Sequence, residues 1–170
     1  IVHLHTSGVL QLDLRDPAAF DEVGPRRHTL REMGAAVAAP GVITLGGREL
    51  TINGDVTITG LGADRIALDA DQQSRVLEIE ALTTVTIDGL TLRNGSVDDF
   101  GGGVLNSGDL TLTNSTVSGN SADTGGGLAN LSTLFFGSGT LTLINSTVSG
   151  NTTADDGGGV DNKGTLIIRD

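Results

Sequence analysis

The chain has no cysteine, no tryptophan and no tyrosine, and only four phenylalanines among 170 residues. Lack of cysteine excludes a disulfide framework and a thiolate metal site. Lack of large rings leaves an aliphatic apolar content, so a core must be assembled from Val, Ile and Leu in flat layers. Positive charge is also scarce: 10 Lys and Arg stand against 21 Asp and Glu, for a net charge of −11. Such a surface cannot neutralise a row of phosphates, which argues against nucleic acid as a partner, and it equally disfavours anionic membranes. The apolar runs are too short to cross a bilayer, so no membrane insertion is expected.

What the sequence has in abundance is glycine, 26 residues, and repetition. GGGVLNSGDLTLTNSTVSGNSADT, starting at Gly101, returns as GGGLAN and SGTLTLINSTVSGNTTADD from Gly125, and begins again as GGGVDNKGTLIIRD from Gly157. A repeat of about 25 residues holding two short alternating strands is the pattern of a coil stacked on copies of itself. From Val42 onward the alignment gives two inward columns. One is Val56, Val85, Leu110, Leu141 and Leu166; the next is Ile58, Ile87, Leu112, Leu143 and Ile168. Coils stack roughly 4.8 Å apart, and each buried aliphatic side chain stabilises by about 1.5–3 kcal/mol. The expected fold is all-β, a right-handed parallel β-helix occupying residues 42–170.

Residues 1–41 break the repeat. Ile1 to Leu14 reads as two short strands around Ser7-Gly8, with Leu10, Leu12 and Leu14 on one face. Thr29 and Glu32 form a T-x-x-E capping box, Leu30, Met33 and Val37 share one side, and Ala39-Pro40-Gly41 ends the segment. This predicts a short capping helix across the N-terminal end of the stack, which would otherwise expose apolar side chains and unpaired backbone. A first residue of Ile rather than Met points to a processed or trimmed N-terminus.

The corners carry a register of their own. Asn106, Asn130 and Asn162 occupy one place after each GGG, where stacked amides can hydrogen-bond from coil to coil. Asn114 and Asn145 form another turn pair, matched by Gly60, Gly89 and Asp170, and Gly, Asn and Asp at one position indicate a positive φ.

The run from Thr29 through TINGDVTITGLGADRIALDADQQSRVLEIEALTTVTIDGLTLRNGS and GGGVLNSGDLTLTNSTVSGN resembles bacterial right-handed parallel β-helix proteins of the CSLREA type. It is more loosely similar to the repeats of chlamydial polymorphic outer-membrane proteins. The resemblance spans residues 28 to 170, and His28-Thr29-Leu30-Arg31-Glu32-Met33 departs from Cys-Ser-Leu-Arg-Glu-Ala at its first, second and last positions. It implies a secreted or surface-exposed protein and supplies no catalytic residues.

Several residue sets invite chemistry. Asp98, Asp99, Asp123, Asp155 and Asp156 precede successive GGG runs and should line one edge. Carboxylates about 5 Å apart repel by about 0.8 kcal/mol in water, a cost that Ca²⁺ would reverse. They are a candidate weak calcium site against the simpler reading of a solvated edge; no other cofactor is expected. Thr57, Thr86, Thr111 and Thr142 point outward from consecutive coils, an array able to order water or simply to satisfy β preference. His3 and His5 share a strand face, and His28 stands alone; exposure is the simpler reading than zinc. Asp88 and Arg93 read as a surface ion pair. A polysaccharide-cleaving enzyme would need clustered carboxylates or an Arg/Lys base in a groove, and usually aromatic platforms for sugar; Trp and Tyr are absent and the C-terminal coils hold only Lys163 and Arg169 as cations, so no catalytic residues are assigned.

Two departures from the repeat point to contacts. Between Asn130 and Ser138 one coil gains LSTLFFG, which places Leu134, Phe135 and Phe136 together, two of the four phenylalanines. Asp170 falls in mid-coil just after Leu166 and Ile168, an apolar end explained by a fragment of a longer chain, by further coils, or by a next subunit that covers it head-to-tail, with the Leu10, Leu12 and Leu14 strands as the covering element in the last case. The sequence therefore leads to a non-enzymatic, extracellular or cell-surface structural module that self-associates into a fibre or stalk. The alternatives are an adhesin or a glycan-, calcium- or ice-binding β-helix, and last an enzyme acting on polysaccharide.

Overall fold

The computed structural model describes residues 2–4, 9–12, 28–30, 33–36, 41–133 and 137–170. The chain is a parallel β-solenoid of about five turns, each complete coil contributing one strand to each of three sheets and the last coil to two. The long sheet contains Met33–Ala36, Val56–Thr59, Thr84–Asp88, Asp109–Thr113, Thr140–Ile144 and Thr165–Arg169, all parallel. The second contains His28–Leu30, Leu50–Ile52, Leu77–Ile79, Val104–Asn106, Leu128–Asn130 and Val160–Asn162. The third runs from Gly41–Thr44 through Ile66–Asp69, Thr91–Arg93 and Thr116–Ser118 to Thr147–Ser149.

Register follows from the period-2 alternation. Val85 lies opposite Val56 and Leu110, and Ile87 opposite Ile58 and Leu112, so both columns expected from the sequence form as aligned. A third inward column, Ile43, Leu68, Leu92, Val117 and Val148, comes from the third sheet, and Leu50, Leu77, Val104, Leu128 and Val160 complete the core. A one-residue slip in any coil would turn its aliphatic set outward, which is why the columns hold the stack in one register.

Glycine makes the corners. The first residue of each GGG, Gly101, Gly125 and Gly157, has φ of 65°, 66° and 68°, a region where a Cβ is penalised. The left-handed corner expected at Asn114 and Asn145 is present, with φ of 47° and 46°, and Gly89 shares it at 67°.

The N-terminal region departs from the capping helix. His28–Leu30 and Met33–Ala36 are strands, pairing with Leu50–Ile52 and Val56–Thr59 as one more turn of the stack. The T-x-x-E box is a local preference, whereas strand pairing satisfies a whole row of backbone donors and acceptors on the first coil. Glu32 and Val37 lie outside the described residues. The two strands read around Ser7-Gly8 do form: Val2–Leu4 and Val9–Leu12 pair antiparallel, with Leu10 opposite Leu4 and Leu12 opposite Val2. Val9–Leu12 then adds to Met33–Ala36, which makes Val2–Leu4 the outermost strand of the long sheet.

Candidate functional site

Asn106, Asn130 and Asn162 stand in one inward column of the second sheet, below Ile52 and Ile79. Asn106 Nδ2 donates to Asn130 Oδ1 at 2.8 Å, and Asn130 Nδ2 to Asn162 Oδ1 at 2.7 Å. Each amide also ties its own corner, donating to the carbonyls of Gly108, Gly139 and Gly164. Asn106 and Asn130 are buried, so water cannot stand in for these bonds. The ladder closes the corner between the second sheet and the long sheet and links three coils at once.

A second ladder went unread in the sequence. Asn120 Oδ1 accepts from Gly95 N–H at 2.7 Å, and Asn120 Nδ2 donates to Asn151 Oδ1 at 3.0 Å and to Leu92 O at 3.2 Å. Its signal was the recurrence of Ser-Gly-Asn at 118–120 and 149–151. Ser115 and Ser146 form a smaller ladder: Ser115 Oγ takes Leu90 N–H, and Ser146 Oγ takes Ser115 N–H. Outside the core, Asn114 Nδ2 donates to Asp88 Oδ1 at 2.9 Å. The expected Asp88–Arg93 ion pair does not form; Arg93 Nε bonds Asp69 at 2.8 Å instead, because Asp69 is its register partner across the third sheet.

Two carboxylates are perturbed. Burial alone would raise the pKa of Asp69, but hydrogen bonds from Asp71 N–H, Asn94 and Arg93 outweigh it and hold the group below its ordinary value. Glu49 moves the other way. Burial pushes it up, Arg75 opposes, and neighbouring Glu78 adds to the rise. Buried Arg75 is a staple across coils: Nη1 bonds Glu49 at 2.6 Å, while Nε donates to Phe100 O and Gly101 O at 3.0 Å. Nothing in the clean repeat announces it, since these coils have diverged most from GGG.

The aspartate edge forms as a backbone stack. Asp123 N–H donates to Asp99 O and Asp155 N–H to Asp123 O, with Asp98, Asp99, Asp123, Asp155 and Asp156 all exposed. Among the described residues, no three His, Asp or Glu side chains converge in a group able to hold a metal ion. The threonine column also stands in register, Thr57, Thr86, Thr111 and Thr142 followed by Ile167.

The insertion is a short hairpin. Ser132–Thr133 and Gly137–Ser138 pair antiparallel, and the Ser132 and Ser138 hydroxyls lie 2.9 Å apart. Leu134, Phe135 and Phe136, which follow Thr133 in sequence, fall outside the described residues, as do Leu14 and His5. At the far end, Ile168 is 67% exposed and Leu166 half-buried, whereas their counterparts Leu143 and Leu141 are buried.

Coil-on-coil pairing in three parallel sheets, with polar ladders at the corners, defines a parallel β-solenoid. In comparison with known proteins, no family model matches the chain, and no curated protein or solved structure matches it.

Proposed function

We propose that this chain is a non-enzymatic structural module of an extracellular or surface-exposed fibre or stalk, lengthened by stacking coils within a chain and end to end between copies. The observation that carries the reading is that coil lies on coil in one register through three parallel sheets, and the face bearing Val148, Val160, Leu166 and Ile168 shows what a further coil would cover. The same columns are buried at Val117, Leu128, Leu141 and Leu143, where the next coil lies on them, and are partly or largely open on this face. Asn162 brings the amide ladder to that face as well. A coil of the same repeat would fit there in register, and in this reading it belongs to a second copy. Val2–Leu4, outermost in the long sheet at the opposite end, is the edge that Thr165–Arg169 of that copy would meet. The resemblance of residues 28–170 to CSLREA-type β-helix proteins supports the same placement at the cell surface, as does the acidic, Thr/Ser/Asn/Gly-rich composition.

Light scattering across a micromolar concentration series, with negative-stain electron microscopy, tests the assembly. The expected result is mass that rises with concentration, filaments along the coil axis, and their loss in Ile168→Asp. A monomer throughout, without filaments, overturns the end-to-end reading. Sugar released from a polysaccharide panel would overturn its non-enzymatic part.

A second reading, an ordered-ligand face on the long sheet, rests on the Thr57, Thr86, Thr111 and Thr142 column. Asp88, Asp109 and Arg169 flank that column and break its regularity. Thermal hysteresis or retention on a glycan surface would favour it.

A further inference from the structure

The sequence holds two Asn-Gly bonds, Asn53-Gly54 and Asn94-Gly95, and the fold treats them differently. Asn-Gly is the pair most open to intramolecular imide formation, because glycine places no side chain in the way of its own amide nitrogen. At Asn94 both reacting groups are held. Gly95 N–H donates to the buried Asn120 Oδ1 at 2.7 Å, and Asn94 Nδ2 donates to both oxygens of Asp69, at 3.0 and 3.1 Å. The backbone of Asn94 is fixed at φ 54° in the corner, and Gly95 is buried.

At Asn53 neither restraint is found among the described residues. Asn53 Oδ1 has no hydrogen-bond partner, and no hydrogen bond from Gly54 N–H is found among the described residues. The reason lies in the inward column. In the coil that contains Asn106, the corner Asn106-Ser107-Gly108 is tied by Asn106 Oδ1, which accepts Gly108 N–H at 3.2 Å. The corresponding corner is Ile52-Asn53-Gly54, and Ile52 offers no acceptor.

We propose that Asn53 is a site of spontaneous covalent modification, and that Asn94 is protected by the Asn120 ladder and Asp69. The Gly54 amide nitrogen, losing its proton to solvent base, attacks Asn53 Cγ. The new C–N bond closes a succinimide as the Cγ–Nδ2 bond breaks, and Nδ2 leaves as ammonia. Water then opens the ring at either carbonyl, giving aspartate or isoaspartate at position 53. The net change is one water taken up and one ammonia released, with no oxidant or reductant. The new carboxylate lies beside Glu80, whose N–H bonds Ile52 O, and two residues from Asp55. Isoaspartate also lengthens the main chain at a corner that must deliver Val56 in register. Conversion therefore loosens the first coils selectively.

The test is incubation of the native 170-residue protein at mildly alkaline pH below its unfolding temperature, followed by peptide mapping. The amide-to-acid mass gain identifies deamidation and separates it from Asp-Gly isomerisation, which leaves mass unchanged. Asn53 should convert at least about tenfold faster than Asn94, the factor that one net hydrogen bond supplies. In urea the two rates should converge. Equal rates in the native protein, faster loss at Asn94, or a ratio that persists in urea would each overturn the proposal.

Discussion

A buried asparagine is costly when left unpaired, and Asn130 shows how the stack makes it an asset. Its side chain is fully buried, accepts from Asn106, and donates toward Asn162 Oδ1, Gly139 O and Thr165 O. Two N–H groups serve three acceptors, so one bond is shared. Asn130→Ala would orphan groups on three coils at once and should lower unfolding free energy by about 3 kcal/mol, read by urea denaturation. The ladder position was legible in the sequence because Asn recurs at one place after GGG; the partners were not, since Thr165 O belongs to a different coil. Charge gives a second residue-scale prediction. Asp69 is held below its ordinary 3.8, so its contribution is present above that pH and lost as pH falls through the folded value. Glu49 is raised above 4.5, so its contribution is present below that pH and lost as pH rises through the folded value. Relative to wild type, Glu49→Gln should therefore gain stability progressively from pH 4.5 toward neutrality. Asp69→Asn should lose it as pH rises past its depressed folded value. Urea midpoints across a pH series, with both variants showing the same slope, would contradict the assignment.

At the scale of the element, the insertion and the N-terminal strands show what a repeat does and does not disclose. The corner Asn106-Ser107-Gly108-Asp109 and the corner Asn130-Leu131, then Gly139-Thr140, share the same ties: Leu131 N–H to Asn106 O and Thr140 N–H to Gly108 O. The hairpin leaves and rejoins the frame between Leu131 and Gly139, its neck closed by Gly139 N–H to Leu131 O. Deleting residues 132–138 should thus restore the shorter corner and change stability by no more than about 1 kcal/mol, since closing a short loop costs little. A cooperative loss of the fold, measured by circular dichroism and urea titration, would show that the hairpin supports the coil. Its position was readable from the alignment, which needs only the flanking repeat. The strands His28–Leu30 and Met33–Ala36 are hidden from the sequence for the opposite reason. Thr29 and Glu32 satisfy a helix-start pattern within a few residues, but the partner that decides the conformation of His28–Leu30, the strand Leu50–Ile52, lies some twenty residues on. Arg75 is likewise not legible in the sequence: its partners Glu49, Phe100 and Gly101 lie one coil to either side, outside any local motif.

For the molecule as a whole, stability is distributed along one axis, because each coil touches mainly its neighbours. An interior side chain such as Ile87 is covered by Ile58 on one side and Leu112 on the other, whereas Ile168 rests only on Leu143. Opening can therefore begin at the last coil at the expense of a single interface, while opening at Leu77–Leu92 requires two to be broken. Native-state hydrogen exchange on dilute protein should show protection greatest over residues 77–118 and falling toward Thr165–Arg169. Alternate amides of that final strand, Thr165 N–H to Gly139 O among them, bond backward to the preceding coil, so their exchange reports the end interface directly. End-to-end stacking adds a second signature to the same measurement. Raising protein concentration should slow exchange at Val160–Asn162 and Thr165–Arg169 and leave the central coils unchanged, since those are already covered. Ile168→Asp should abolish the concentration dependence without altering central protection. A gradient along the axis with no concentration dependence would keep the one-dimensional account of stability and remove the fibre; uniform protection from end to end would remove both.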